Sequence, residues 1–292
     1  MTLLVTLLVQ GTIAGSVALV AARILRHHSP SLRLGILLLG AASFVIPIPS
    51  PAAGAVALNA RTLFVATPLL LLAALVYLAG VMYSFLRLAM ESMALRRLVS
   101  RTVAGPAQLE GPVRVLVSNE IAVPFAADVN GPLMVLPTSV LGEPGERLDA
   151  ILQHELAHLR NHDLRTYKLL AAFRALLWFH PVAWALVRAA RAAMEERCDD
   201  AVLRHASPLV YATALVDLAA RNSHGARPAA ALGMATAEVE ALAARIERMG
   251  APEKRRSRIV IPALVAIALI TGAAAAAPRI AVQHIHIHHH AH

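Results

Sequence analysis

The sequence predicts an α+β membrane protein, with about four helical spans and a cytoplasmic, mostly helical domain containing a small antiparallel sheet. Composition is the first reason. Of the 292 residues, 58% are hydrophobic and 15% are charged, where soluble chains average about 45–50% and about 25%. The mean hydropathy of +0.61 is the second, and the third is the alternation of long apolar segments with short basic ones. These values exclude a disordered chain. The single cysteine, Cys198, excludes an intrachain disulfide and with it a stapled secreted scaffold.

A helix rises about 1.5 Å per residue, so about 20 apolar residues cross a hydrocarbon layer about 30 Å thick. Four uncharged segments qualify: Met1 to Ala22, Leu34 to Ala60, Leu63 to Leu86, and Ile259 to Pro278. In the second, helix is expected only until Pro47, Pro49 and Pro51 end it. The first lacks the basic leader of a signal peptide and is read as a retained span. Spans are therefore expected at 1–22, 34–49 and 63–86 within an N-terminal membrane domain, 1–90, and at 258–278.

Basic residues set the orientation, because short cytoplasmic loops collect Lys and Arg. Arg23, Arg26 and Arg33 follow the first span, whereas only Arg61 lies between the second and third. Arg87, Arg96, Arg97 and Arg101 follow the third, and Lys254, Arg255, Arg256 and Arg258 precede the fourth. The N-terminus and the tail at 279–292 are thus expected outside the cell membrane and region 91–257 in the cytoplasm. The formal charge of +9 then reflects topology and contact with the lipid bilayer. No recognition motif accompanies it, so direct nucleic-acid binding is not expected.

Within 91–257, Val113 to Ser118 and Leu133 to Leu136 read as strands, with Asn130-Gly131 between them as a turn signal. From Leu148 onward the text is helical, broken at Pro181, Pro208 and Asn222 to Pro228. Tyr167 to Val187, with Trp178 and Trp184 around His180-Pro181, reads as a membrane-leaning helical hairpin.

The chemistry centres on His154-Glu155-Leu156-Ala157-His158. Residues four apart share a helix face, so His154 and His158 can reach one metal ion, with Glu155 beside them as general base toward water. Catalytic zinc takes three protein ligands and keeps one position open. A candidate third ligand follows in Met194 to Asp200, where Glu195 and Asp199 are again four apart. Glu195 can bind metal while Asp199 accepts a hydrogen bond from a ligating histidine; an acidic face pairing with Arg191 and Arg197 is the plainer alternative.

Ile151 to Asp163, Trp178-Phe179-His180-Pro181 and Glu195 to Asp199 together resemble the BlaR/MecR-type membrane zinc metallopeptidases. The resemblance implies a gluzincin domain at 91–257 holding one catalytic Zn²⁺, with His154, His158 and Glu195 as ligands, Glu155 as general base and Asp199 bonded behind the ligands. It further implies that the strand near Pro132 to Leu136 holds the substrate backbone at a sheet edge. The implied function is signal transduction by hydrolysis of a cytoplasmic protein, a winged-helix repressor of the BlaI/MecI type. Two alternatives stand beside it: a membrane-protein quality-control protease, and a non-enzymatic membrane metal sensor or scaffold.

The antibiotic receptors of that family carry a penicillin-binding domain after the fourth span, and this sequence ends about fourteen residues beyond that point, so direct β-lactam recognition is not expected. The tail carries His284, His286, His288, His289, His290 and His292, a composition suited to extra Zn²⁺, Cu²⁺ or Ni²⁺ ions, with an expression tag or an unselected tail as the plainer alternatives. Cys198 reads as a small buried packing residue, with a redox brake on zinc as the alternative. His162 and His180 read as structural. His205 and Tyr211 are candidates for an oxyanion donor by residue type alone.

Overall fold

A computed structural model describes residues 2–26, 28–47, 56–59, 67–105, 113–223, 242–250, 265, 268, 270, 272 and 280–283. The fourth expected span falls largely outside these residues, and the histidine-rich tail from His284 wholly so. The chain divides into two compact units.

One unit comprises Met1–Arg87, Ala171–Ala190 and Arg256–His292. It contains α1 (Thr2–Ile24), α2 (Pro30–Ala42) and the first part of α3 (Thr67–Ser100). Two helices, Leu4–Ile24 and Pro68–Ser100, are long and apolar enough to cross a membrane. Leu69, Leu71, Leu75, Leu78 and Met82 stand exposed on α3, a surface that suits lipid better than water. Close packing uses small residues. Gly11 leaves room only for the Phe44 ring, and Gly80 only for Trp178.

The second expected span is shorter than the sequence suggests. Ser29 caps α2 and Pro30 opens it, but the helix ends at Ala42 after 13 residues. Pro47 supplies no N–H to the Ser43 carbonyl; the Gln10 amide of α1 donates there instead at 3.0 Å, and to the Ile46 carbonyl at 2.8 Å. Thr12 of the same helix meets His180 Nε2 at 3.0 Å, the hydrogen-bonded structural role read for that histidine. This unit also holds a parallel pair, β1 (Val56–Asn59) with β6 (Ile280–Gln283).

The other unit comprises Leu88–Leu170 and Arg191–Arg255. Its sheet is β2 (Val103–Ala104), β3 (Arg114–Ser118), β4 (Phe125–Asp128) and β5 (Pro132–Pro137), in spatial order β2-β3-β5-β4. The expectation of an antiparallel sheet is corrected here. β3 and β5 pair in parallel, while β4–β5 and β2–β3 are antiparallel. The reason is β4, an Ala-containing strand of weak intrinsic propensity that the sequence reading passed over. The turn at Asn130-Gly131, both at positive φ, joins β4 to β5 and returns β5 into the gap beside β3. β5 is accordingly central and almost wholly buried. Ala127, Leu133 and Val135 form a core with Leu95 and Val99 of α3 packed on it.

Five helices complete the unit in whole or part: α4 (Gly145–Arg160), α5 (Asp163–Leu176), α6 (Pro181–Val202), α7 (Pro208–Ser223) and α8 (242–250). The buried residues of α4 are Ala150, Ile151, His154, Glu155, Ala157 and His158, a stripe at helical spacing. Ile151 packs with Val140, Ala214 and Leu218, and Ala150 with Val202, Tyr211 and Met249. The same periodicity that seats α4 on α7 carries its two histidines inward.

Candidate metal centre

His154 and His158 lie one turn apart on α4, with ring centroids 4.9 Å apart. Both aim Nε2 at one carboxylate of α6. His154 Nε2 is 3.4 Å from Glu195 Oε2, and His158 Nε2 is 3.6 Å from Glu195 Oε1. Donor atoms of the three residues lie within 4.8 Å of one another, close enough to hold one ion. Two imidazoles and a carboxylate suit zinc.

The other ring nitrogens are engaged behind this triad, as ligand histidines require if their tautomers are to be fixed. His158 Nδ1 lies 2.8 Å from Asp163 Oδ2, and Arg197 donates to the other Asp163 oxygen. Asp163 reaches back because α4 stops: Asn161 caps it and His162 takes φ 56°, so the chain reverses before α5. His154 Nδ1 lies 2.8 Å from the Tyr211 hydroxyl, which itself donates to Asp199 Oδ1 at 2.8 Å. Asp199 is 3.5 Å from that nitrogen, so the expected contact of Asp199 with a histidine passes chiefly through Tyr211.

Tyr167 of α5 donates to Glu195 Oε1 at 2.9 Å. Arg245 of α8 donates to Asp199 from Nε at 3.0 Å and Nη2 at 2.6 Å. Burial would raise the Glu195 carboxyl, but His154, His158 and Arg245 outweigh it and hold it at about 2. Glu155 behaves oppositely: burial raises it, against His154, His158 and a backbone hydrogen bond from Ala126 of β4.

Cys198 is fully buried, its sulfur 3.4 Å from His158 Nδ1 and 3.5 Å from Asp163 Oδ2. Burial pushes the thiol upward, toward the neutral form. His162 and His205 are exposed, and among the described contacts neither touches the triad. Tyr211, a candidate oxyanion donor by residue type, is instead enclosed between His154 and Asp199. The reading from sequence missed Asp163, Tyr167 and Arg245. Only Asp163 carried a local signal, as an acid directly after the Asn161-His162 helix stop.

Comparison with known proteins gives this arrangement relatives. Regulatory protein BlaR1 of Bacillus licheniformis is 31% identical over 81 residues, which are 28% of this chain and 14% of that protein. The methicillin resistance mecR1 protein of Staphylococcus aureus is 27% identical over 93 residues, 29% of this chain and 16% of the relative. The matched stretches thus span under a fifth of either relative's length. The family described as BlaR1 peptidase M56 matches residues 44–249, more than half of the chain. His154, Glu155, His158, Glu195, Asp199, Tyr211 and Arg245 all fall inside that match, and the chain belongs to the BlaR1 peptidase M56 family.

Proposed function

We propose that the protein is an integral-membrane zinc metalloendopeptidase, with His154, His158 and Glu195 as ligands of one Zn²⁺ and Glu155 as general base. The observation that carries this reading is the convergence of both Nε2 atoms on Glu195 while both Nδ1 atoms are bonded elsewhere. Zinc bound there supplies a Lewis acid that polarises a peptide carbonyl and acidifies water.

The chain's own residues do the rest. Glu155, its carboxyl raised above the ordinary carboxylate range by burial, takes a proton from the attacking water and returns it to the leaving amine. Tyr167 and Arg245 hold the two Glu195 oxygens. Tyr211 and Asp199 orient His154, and Asp163 orients His158. The substrate backbone lies along β4. This replaces the expected position near Pro132 to Leu136: β5 is interior, whereas β4 is the sheet edge and its Ala126 reaches Glu155. An edge strand has backbone groups free to pair with a peptide.

The same reading places 91–257 in the cytoplasm, between an N-terminal membrane domain at 1–90 and a span at 258–278, on the basic-residue pattern already described. Relatives named for regulation and for methicillin resistance support a signalling role; the substrate in this reading, a BlaI/MecI-type repressor, follows from the family resemblance of the sequence. New protein N-termini, compared in cells carrying wild-type or Glu155→Gln chains, test it. A single wild-type-dependent cut in a DNA-binding protein is expected. Many cuts in membrane proteins would point to quality control, and no difference under stimulation would favour a scaffold.

A further inference from the structure

We infer that Arg245 is a positioning residue of the metal centre: its guanidinium holds Asp199 and Glu195 together in the register that metal binding needs, so that α8 completes a site whose donors lie on α4 and α6. The inference rests on the reading of His154, His158 and Glu195 as metal ligands.

The acidic face of α6 presents Glu195, Glu196, Asp199 and Asp200, and α8 meets it with two arginines three residues apart. Their contacts differ. Arg245 forks onto fully buried Asp199 through Nε and Nη2, touches the Tyr211 hydroxyl at 3.4 Å, and brings Nη1 to 3.4 Å from Glu195 Oε2. Arg248 donates to Asp200 at 2.6 Å and the Glu196 carbonyl at 3.0 Å, and comes only to 3.7 Å from Asp199 Oδ2. Of the two, only Arg245 spans the proposed ligand Glu195 and the carboxylate that steadies the ligand His154.

Packing does not fix Glu195 by itself. The residue lines a cavity of about 340 Å³ together with Ala192, Leu242 and Arg245. Its orientation comes from polar contacts, Tyr167 on Oε1 and Arg245 on Oε2. α8 is seated for this task by Met249, which packs with Ala150, Val202 and Tyr211. A planar fork can hold two carboxylates in a set orientation, and a lysine ammonium, a single point charge, cannot.

Arg245→Lys in the full chain, purified in detergent, tests this. It keeps the charge beside Asp199 and removes the fork. The readouts are zinc affinity by chelator competition and the visible absorption of the cobalt-substituted protein. The expected result is a folded chain that binds zinc about tenfold or more weakly, with an altered cobalt spectrum, while Arg248→Lys keeps both properties. Wild-type affinity and spectrum in Arg245→Lys would overturn the inference. So would equal losses in the two variants, or a failure of Arg245→Lys to fold, since either makes the residue a general support. His154→Ala separates the two levels: if it still binds metal normally, the ligand assignment fails. If it loses metal while Arg245→Lys is unchanged, only the role of Arg245 fails.

Discussion

The Tyr211 hydroxyl stands midway between His154 and Asp199, 2.8 Å from Nδ1 of the one and 2.8 Å from Oδ1 of the other. A phenol therefore relays the orienting effect of the carboxylate. Tyr211→Phe leaves both partners short of a buried contact and is expected to weaken zinc binding about tenfold, with kcat of the zinc-loaded enzyme little changed. Chelator competition and steady-state kinetics on one preparation measure both. Intact zinc affinity with kcat down about 100-fold would instead identify the hydroxyl as a transition-state donor.

His158 carries a proton when no metal is bound. Burial opposes its charge, but Asp163, Cys198 and Glu195 overcome burial and push its pKa up to about 11. Glu195 is already ionised at neutral pH. Zinc needs the neutral imidazole, so zinc binding at pH 7.5 is expected to release the His158 proton. Calorimetry in buffers of different ionisation enthalpy reads this as a linear dependence of the apparent heat; heats independent of buffer would contradict it. The sign for stability follows from the folded value lying above the ordinary 6.5. This contribution to the metal-free chain is fully present below pH 6.5 and is lost as pH rises through about 11.

Gln10, on a neighbouring helix, bonds the Ser43 and Ile46 carbonyls beyond the end of α2. Gln10→Leu leaves the buried Ser43 carbonyl without this donor, a cost of about 1–3 kcal/mol, and is expected to lower the melting temperature in detergent while leaving zinc affinity of the folded chain unchanged. An unchanged melting temperature would show that the amide is dispensable.

What could be read from sequence was set by how local each contact is. His154, Glu155 and His158 share one helical turn, and Glu195 and Asp199 another, so helical spacing alone paired them. Asp163 meets His158 only because the chain reverses at Asn161-His162, which spacing does not reveal. Tyr167, Tyr211 and Arg245 reach the site from three other helices, so no local pattern marked their roles. The sheet shows the same limit. The Asn130-Gly131 turn was legible, but its partner strand Phe125–Asp128 was not, and without it β5 looked like an edge and the sheet antiparallel. In α2 the apolar text outran the helix, which ends at Ala42, ahead of Pro47, with Gln10 of α1 bonding the Ser43 and Ile46 carbonyls beyond it.

The most direct test is zinc content and peptide hydrolysis measured on the same preparations of the wild-type and Glu155→Gln chains. Glutamine matches the size of Glu155 but cannot accept the water proton. One zinc per chain in both proteins, with hydrolysis in the wild type alone, is the expected result. Hydrolysis that persists in Glu155→Gln, or a wild-type chain that hydrolyses peptide with no zinc bound, would contradict it.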